Sequence, residues 1–136
     1  MADLRRLLIL LPALLLASCE SDSGFSIPPQ TWHDFDIVLE TRPTPVRPGM
    51  NEFLVMATSR RGLPVSDLVI SLRVSAQNPW HQAIQDGHSG VYRTALSLQA
   101  GDTHILMQVR QKKTETVLQY SLLPPVRIGN PPANGG

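Results

Sequence analysis

Leu68-Val69-Ile70-Ser71-Leu72-Arg73-Val74-Ser75 is the stretch whose reading decides the fold. Leu68, Ile70, Leu72 and Val74 alternate with Val69, Ser71, Arg73 and Ser75, so an extended chain places four aliphatics on one face and mostly polar side chains on the other. The same period recurs on both sides of it. Phe35, Ile37 and Leu39 alternate with Asp34, Asp36, Val38 and Glu40. Phe53, Val55 and Ala57 share one face of a run whose other face carries Leu54 and Met56, which predicts a strand buried on both sides in mid-sheet. Downstream, a short strand is expected near His81 to Gln85, then Tyr92, Thr94, Leu96 and Leu98. Ile105, Met107 and Val109 face inward from the next, and Thr116, Leu118, Tyr120 and Leu122 from the last.

Turn chemistry punctuates these runs every eight to twelve residues. Arg60-Arg61-Gly62-Leu63-Pro64 makes a tight connection, Gln99-Ala100-Gly101-Asp102 predicts a hairpin, and Gln111-Lys112-Lys113-Thr114 predicts another. Pro43, Pro45, Pro48, Pro64 and Pro79 break any helical reading, and no window repeats apolar residues at i, i+3, i+4 and i+7. About seven short antiparallel strands between His33 and Leu123 predict an all-β, immunoglobulin-like sandwich. Trp80 is expected as the plug of its core, or else as an interaction residue at the surface.

The amino terminus follows a different logic. Arg5 and Arg6 precede Leu7 to Leu16, an apolar run interrupted only by Pro12 and shorter than the roughly 20 residues that span a bilayer. Leu16-Ala17-Ser18-Cys19 then resembles the lipobox of bacterial lipoproteins, in which the thiol is acylated and the chain is cut on its amino side. That resemblance implies a signal peptide over residues 1–18, a palmitate-type lipid anchor on Cys19, and a periplasmic site in the cell envelope. Glu20, in place of the Asp that marks inner-membrane retention, favours the outer membrane. Cys19 is the one cysteine, so acylation also accounts for the absence of any pairing thiol. Residues 19–32 are polar with Pro28 and Pro29 and are expected as a tether, residues 33–123 as the sandwich, and residues 124–136 as a disordered Pro- and Gly-rich tail.

Without Asp3, Arg5 and Arg6 the chain carries ten basic and ten acidic residues, and no basic stripe interleaved with aromatics suggests nucleic acid. Pro45-Val46-Arg47-Pro48-Gly49-Met50-Asn51, Gly62-Leu63-Pro64-Val65-Ser66-Asp67, Gly90-Val91-Tyr92 and Gly101-Asp102 follow in an order that resembles bacterial YtkA-like and FixH-like periplasmic domains. The resemblance implies an immunoglobulin-like module without catalysis of its own, often near copper handling or oxidase assembly. This chain departs from the pattern by having Trp80, His81 and His88, and no Met, before the Gly-x-Tyr turn, and Thr103 where an aromatic is usual.

Copper would need imidazole and thioether ligands. Met107 is expected in the core and Met56 on a doubly buried strand, and His104 is expected about 20 Å from His88 across the hairpin, at roughly 3.3 Å per residue. His81 and His88 remain as a pair, provided that Ala76 to Ser89 forms a loop. Gly87-His88-Ser89-Gly90 is no nucleophile elbow, because Val91 stands where the motif needs Gly and a strand follows it instead of a helix. Asp34 and Asp36 are read as a solvated strand face. The expectation is a membrane-tethered, non-catalytic binding or scaffolding module whose partner is another envelope protein; the alternative is a copper accessory using His81 and His88.

Overall fold

The computed structural model describes residues 25–124, so Cys19, the expected signal peptide and all of the expected tail but Pro124 lie outside the described residues. Nine strands form in chain order: β1 (Gln30–Trp32), β2 (Phe35–Arg42), β3 (Gly49–Ser59), β4 (Val69–Arg73), β5 (His81–Gln82), β6 (Ile84–Gln85), β7 (Val91–Leu98), β8 (His104–Gln111) and β9 (Thr114–Ser121). They make two antiparallel sheets, one ordered β1-β2-β3-β7-β6 and the other β5-β4-β8-β9. Among the described residues no helix is long and apolar enough to cross a membrane.

Alternation places the core as read from the sequence. Ile37 and Leu39, Phe53 and Val55, Ile70 and Leu72, and Ile105, Met107 and Val109 all sit at 1% exposure or less in one buried cluster between the sheets. β3 runs between β2 and β7, and Leu54 on its outward face is also buried, as the doubly apolar pattern predicted. Asn51 explains the Pro-Gly-x-Asn approach to this strand: buried to 1% exposure, its side-chain amide donates to the carbonyls of Arg47 and Gly49, and its oxygen accepts from the Arg47 N–H.

Four expectations change. Ile27 is buried and Gln30–Trp32 pairs with β2, so the domain begins before His33 and takes in the end of the expected tether. Gln99-Ala100-Gly101-Asp102 reverses the chain but joins no hairpin, because β7 pairs with β3 and β6 while β8 pairs with β4 and β9 in the other sheet. The Gln99 N–H bonds the Asp102 carboxylate at 2.6 Å and Gly101 takes φ +96°, which is the chemistry of a turn and carries no instruction about which layer follows. The strand expected near His81 to Gln85 is split at buried Ala83: β5 pairs with β4 in one sheet and β6 with β7 in the other. Trp80 is outside the core, half-buried on the sheet surface beneath the Arg73 guanidinium, 4.1 Å from the ring centroid.

Two tyrosines do the work assigned to that tryptophan. Tyr120 donates across the sandwich to the Ile37 carbonyl at 3.1 Å, and burial pushes its hydroxyl up to about 12. Tyr92 donates to the Val65 carbonyl at 2.9 Å and accepts from the Leu68 N–H at 3.2 Å. Burial raises its pKa as well, the Leu68 bond opposes the rise and nearby Asp67 adds to it. Beside it Gly90, at φ +72°, lets three backbone segments meet: the Ala57 N–H bonds the Gly90 carbonyl, and the Val65 N–H bonds that of Ala57, both at 2.9 Å.

Candidate functional site

The sequence-derived candidates separate in space. His81 begins β5, whereas His88 lies in the exposed turn between β6 and β7, which closes with a bond from the Asp86 N–H to the Val91 carbonyl at 2.8 Å. His81 borders Ala95, Leu96 and Ser97, near the far end of β7, and the strand from Val91 to Ser97 spans roughly 20 Å at about 3.3 Å per step. Ligand bonds to one ion are near 2 Å, so His81 and His88 do not share a metal. His104, at the start of β8, is engaged with the Thr103 hydroxyl at 2.7 Å, Met107 is fully buried and Met56 is half-buried. Among the described residues no three His, Cys, Asp or Glu side chains gather as a metal site.

The structure instead brings together a feature that spacing did not reveal. Because the chain crosses between sheets at Ala83, β6 covers β7 only at Tyr92 and Arg93. Bonds alternate sides along an antiparallel strand. Gly90 bonds toward β3 and Val91 toward β6, so Tyr92, Thr94, Leu96 and Leu98 turn their backbone groups to β3, whereas Ala95 and Ser97 turn theirs to the uncovered side. Among the described residues nothing pairs with the backbone of Ala95 and Ser97 on that side. Facing this edge is an apolar slot of about 270 Å³, lined by Met50, Val74, Asn78, His81 and Leu96 together with Ala95 and Ser97. Leu96 is on the inner face of the β7 sheet, Val74 packs against the same core just past the end of β4, and Met50 is 67% exposed.

Charge around the slot is uneven. On the outer face of the β7 sheet, Arg42 and Arg93 both pair with Glu52, at 3.9 and 3.5 Å, and Arg93 reaches Asp86 at 3.3 Å, so those charges are mutually neutralised. Arg73, one residue before slot-lining Val74, has no acidic partner among the described residues. Its Nη1 donates to the Ala76 carbonyl at 3.1 Å, while its buried Nε has no acceptor. The small outward side chains Ala95 and Ser97 were the one sequence signal of this edge. The chain matches no protein-family model, no curated protein and no solved structure.

Proposed function

We propose that the chain is a lipid-anchored envelope protein that holds a non-catalytic, immunoglobulin-like binding module on the periplasmic side of a membrane, the outer membrane by preference. Leu16-Ala17-Ser18-Cys19, set directly behind the basic and apolar run from Arg5 to Leu16, carries the proposal. The two antiparallel sheets, and an order of turns similar to YtkA-like and FixH-like domains, support the module. Ile27 is already in the core, so the eight residues from Cys19 reach at most roughly 29 Å, at about 3.6 Å per residue. The module therefore works close to the lipid surface, and its partner is a protein of the same envelope.

Metabolic labelling tests the anchor. Wild-type chain takes up labelled palmitate and partitions into detergent, and Cys19→Ser does neither; a Cys19→Ser chain that remains acylated or membrane-bound refutes the proposal. In-cell crosslinking from the folded domain then reports the partner, and a chain that captures no envelope protein refutes the binding role.

A further inference from the structure

We infer that the pole of the sandwich carrying both Phe25 and Leu123 rests on the phospholipid surface that holds the Cys19 lipid, with Leu123, the loop prolines and Arg47 in the headgroup layer. The inference rests on the lipid-anchor reading and names the face of the module that meets lipid.

Strand register sorts the turns into two poles. Leu98 pairs with Gly49 and His104 with Ser121, so the 43–48 loop, the 99–103 turn and the end of β9 share one pole, and Arg73, paired with Leu106, directs the 74–80 loop to it as well. Phe25 shares a pocket with Thr41 and Thr44, and Leu123 one with Pro48 and Leu98, so both described ends emerge at this pole. The turns at 33–34, 60–68, 86–90 and 112–113 form the other. From Cys19 to Phe25 the chain reaches at most roughly 22 Å, at about 3.6 Å per residue. β3, which runs from one pole to the other, covers roughly 33 Å at about 3.3 Å per step. An anchored chain therefore keeps the first pole next to the lipid.

The chemistry of the two poles differs in the same sense. Asp34, Arg60, Arg61, Asp86, Lys112 and Lys113 crowd the far turns, and pressing them into lipid would strip water from each charge. In the 43–48, 74–80 and 99–103 segments the charged side chains are Arg47 and Asp102, and the Asp102 carboxylate already accepts from the Gln99 N–H. Around them Pro45, Pro48 and Ala100 are exposed, and Leu123 is 50% exposed. Pro45 and Pro48 have no N–H to leave unpaired when water is displaced. Arg47 is exposed and has no acidic partner among the described residues. Buried Asn51 clamps its backbone on both sides, accepting from its N–H at 3.2 Å and donating to its carbonyl at 2.7 Å. A cation on a fixed loop among apolar tips can donate to lipid phosphate while its neighbours enter the acyl boundary. Weak contacts suffice, because a short tether holds the module at a millimolar effective concentration over the surface.

The test uses the full acylated chain in vesicles of phosphatidylcholine and phosphatidylglycerol that carry a nitroxide on some headgroups. Acylation occupies Cys19, so Ala100→Cys and Lys113→Cys each provide a single thiol for a fluorophore, one at each pole. The Ala100 probe should be quenched about threefold or more above the Lys113 probe, since the poles lie roughly 33 Å apart. Inserting roughly ten Gly and Ser residues between Ser23 and Gly24 separates docking from mere proximity. A docked pole keeps its quenching in the lengthened chain, whereas a passively tethered one loses it, and this comparison needs no substitution in the contact itself. Leu123→Asp combined with Arg47→Glu should then lower the Ala100 signal to the Lys113 level, with the near-ultraviolet circular dichroism unchanged because both side chains are exposed. Equal quenching of the two probes, loss of the Ala100 signal on lengthening, or a signal that survives the double substitution overturns the inference and leaves the anchor in place. A chain that takes up no labelled palmitate removes the anchor, and the inference falls with it.

Discussion

The outer side of β9 and the far half of β7 carry the same chemistry, alternate backbone N–H and C=O groups with no strand paired to them among the described residues, in different surroundings. On β9 the two-residue Lys112-Lys113 turn sets the register, so Glu115, Val117, Gln119 and Ser121 point their backbone groups outward. The Gln119 carbonyl among them is capped by the Gln30 side-chain amide at 2.7 Å, and Glu115 adds a charge. Such capping and charge are the usual protection of a sheet edge against stray pairing. On β7 neither is present at Ala95 or Ser97, and an apolar slot opens alongside. The comparison fails if the two edges turn out to be equally rigid, equally closed or equally receptive.

Gly90→Ala gives the largest expected effect. A Cβ there would lie 2.7 Å from the Ala57 carbonyl and 3.0 Å from the Val65 nitrogen, both backbone, at φ +72°. Denaturant unfolding should show a loss of roughly 2–4 kcal/mol, combining left-handed strain with the displacement of β7 from β3. A loss below about 1 kcal/mol would mean that β7 yields easily, and the bare edge would then not be a rigid template. Tyr120→Phe comes next, because it removes the bond that ties β9 to Ile37 across the core, at about 1–2 kcal/mol. Its pH dependence has a definite sign. The folded hydroxyl titrates near 12 and the unfolded one near 10, so the stabilisation is complete below pH 10 and is lost as pH rises from 10 to 12. Wild-type stability should fall across that window and Tyr120→Phe should fall less; parallel curves would show that burial of this hydroxyl does not couple to folding.

The sequence was legible where period two is clean and silent where a choice of layer was needed. Ile70 and Leu72, or Ile105 and Val109, reveal their buried face because a strand has only two faces. Gln99 to Asp102 reveals a reversal, but reversing within a sheet and crossing about 10 Å to the other sheet call for the same Gly and Asp chemistry. The split between β5 and β6 was hidden for the same reason, since buried Ala83 gives no sign that its neighbours pair in opposite directions. Trp80 misled because its size suggested a core plug, whereas the space between the sheets is filled by Phe53, Tyr92 and Tyr120. The slot could not be read at all: Met50, Val74, His81 and Leu96 come from four separate segments that only the tertiary fold assembles.

Ala95→Lys tests the bare edge without disturbing the fold. The side chain is exposed, so denaturant unfolding should show a change within about 0.5 kcal/mol. A larger loss would mean that Ala95 packs against a neighbour and that the edge is not bare.

Gln30→Ala has the smallest expected effect on stability, about 0.5 kcal/mol or less for one exposed hydrogen bond, yet it bears most directly on the difference between the edges. Removing the amide frees the Gln119 carbonyl and completes an outward row from Glu115 to Ser121, with Val117, 52% exposed, at its centre. The amide of Tyr120, which shares a peptide group with that carbonyl, should shift in the variant while the rest of the spectrum stays in place. An unmoved Tyr120 amide would mean that the bond does not hold in solution, and the contrast between the two edges would then rest on Glu115 alone.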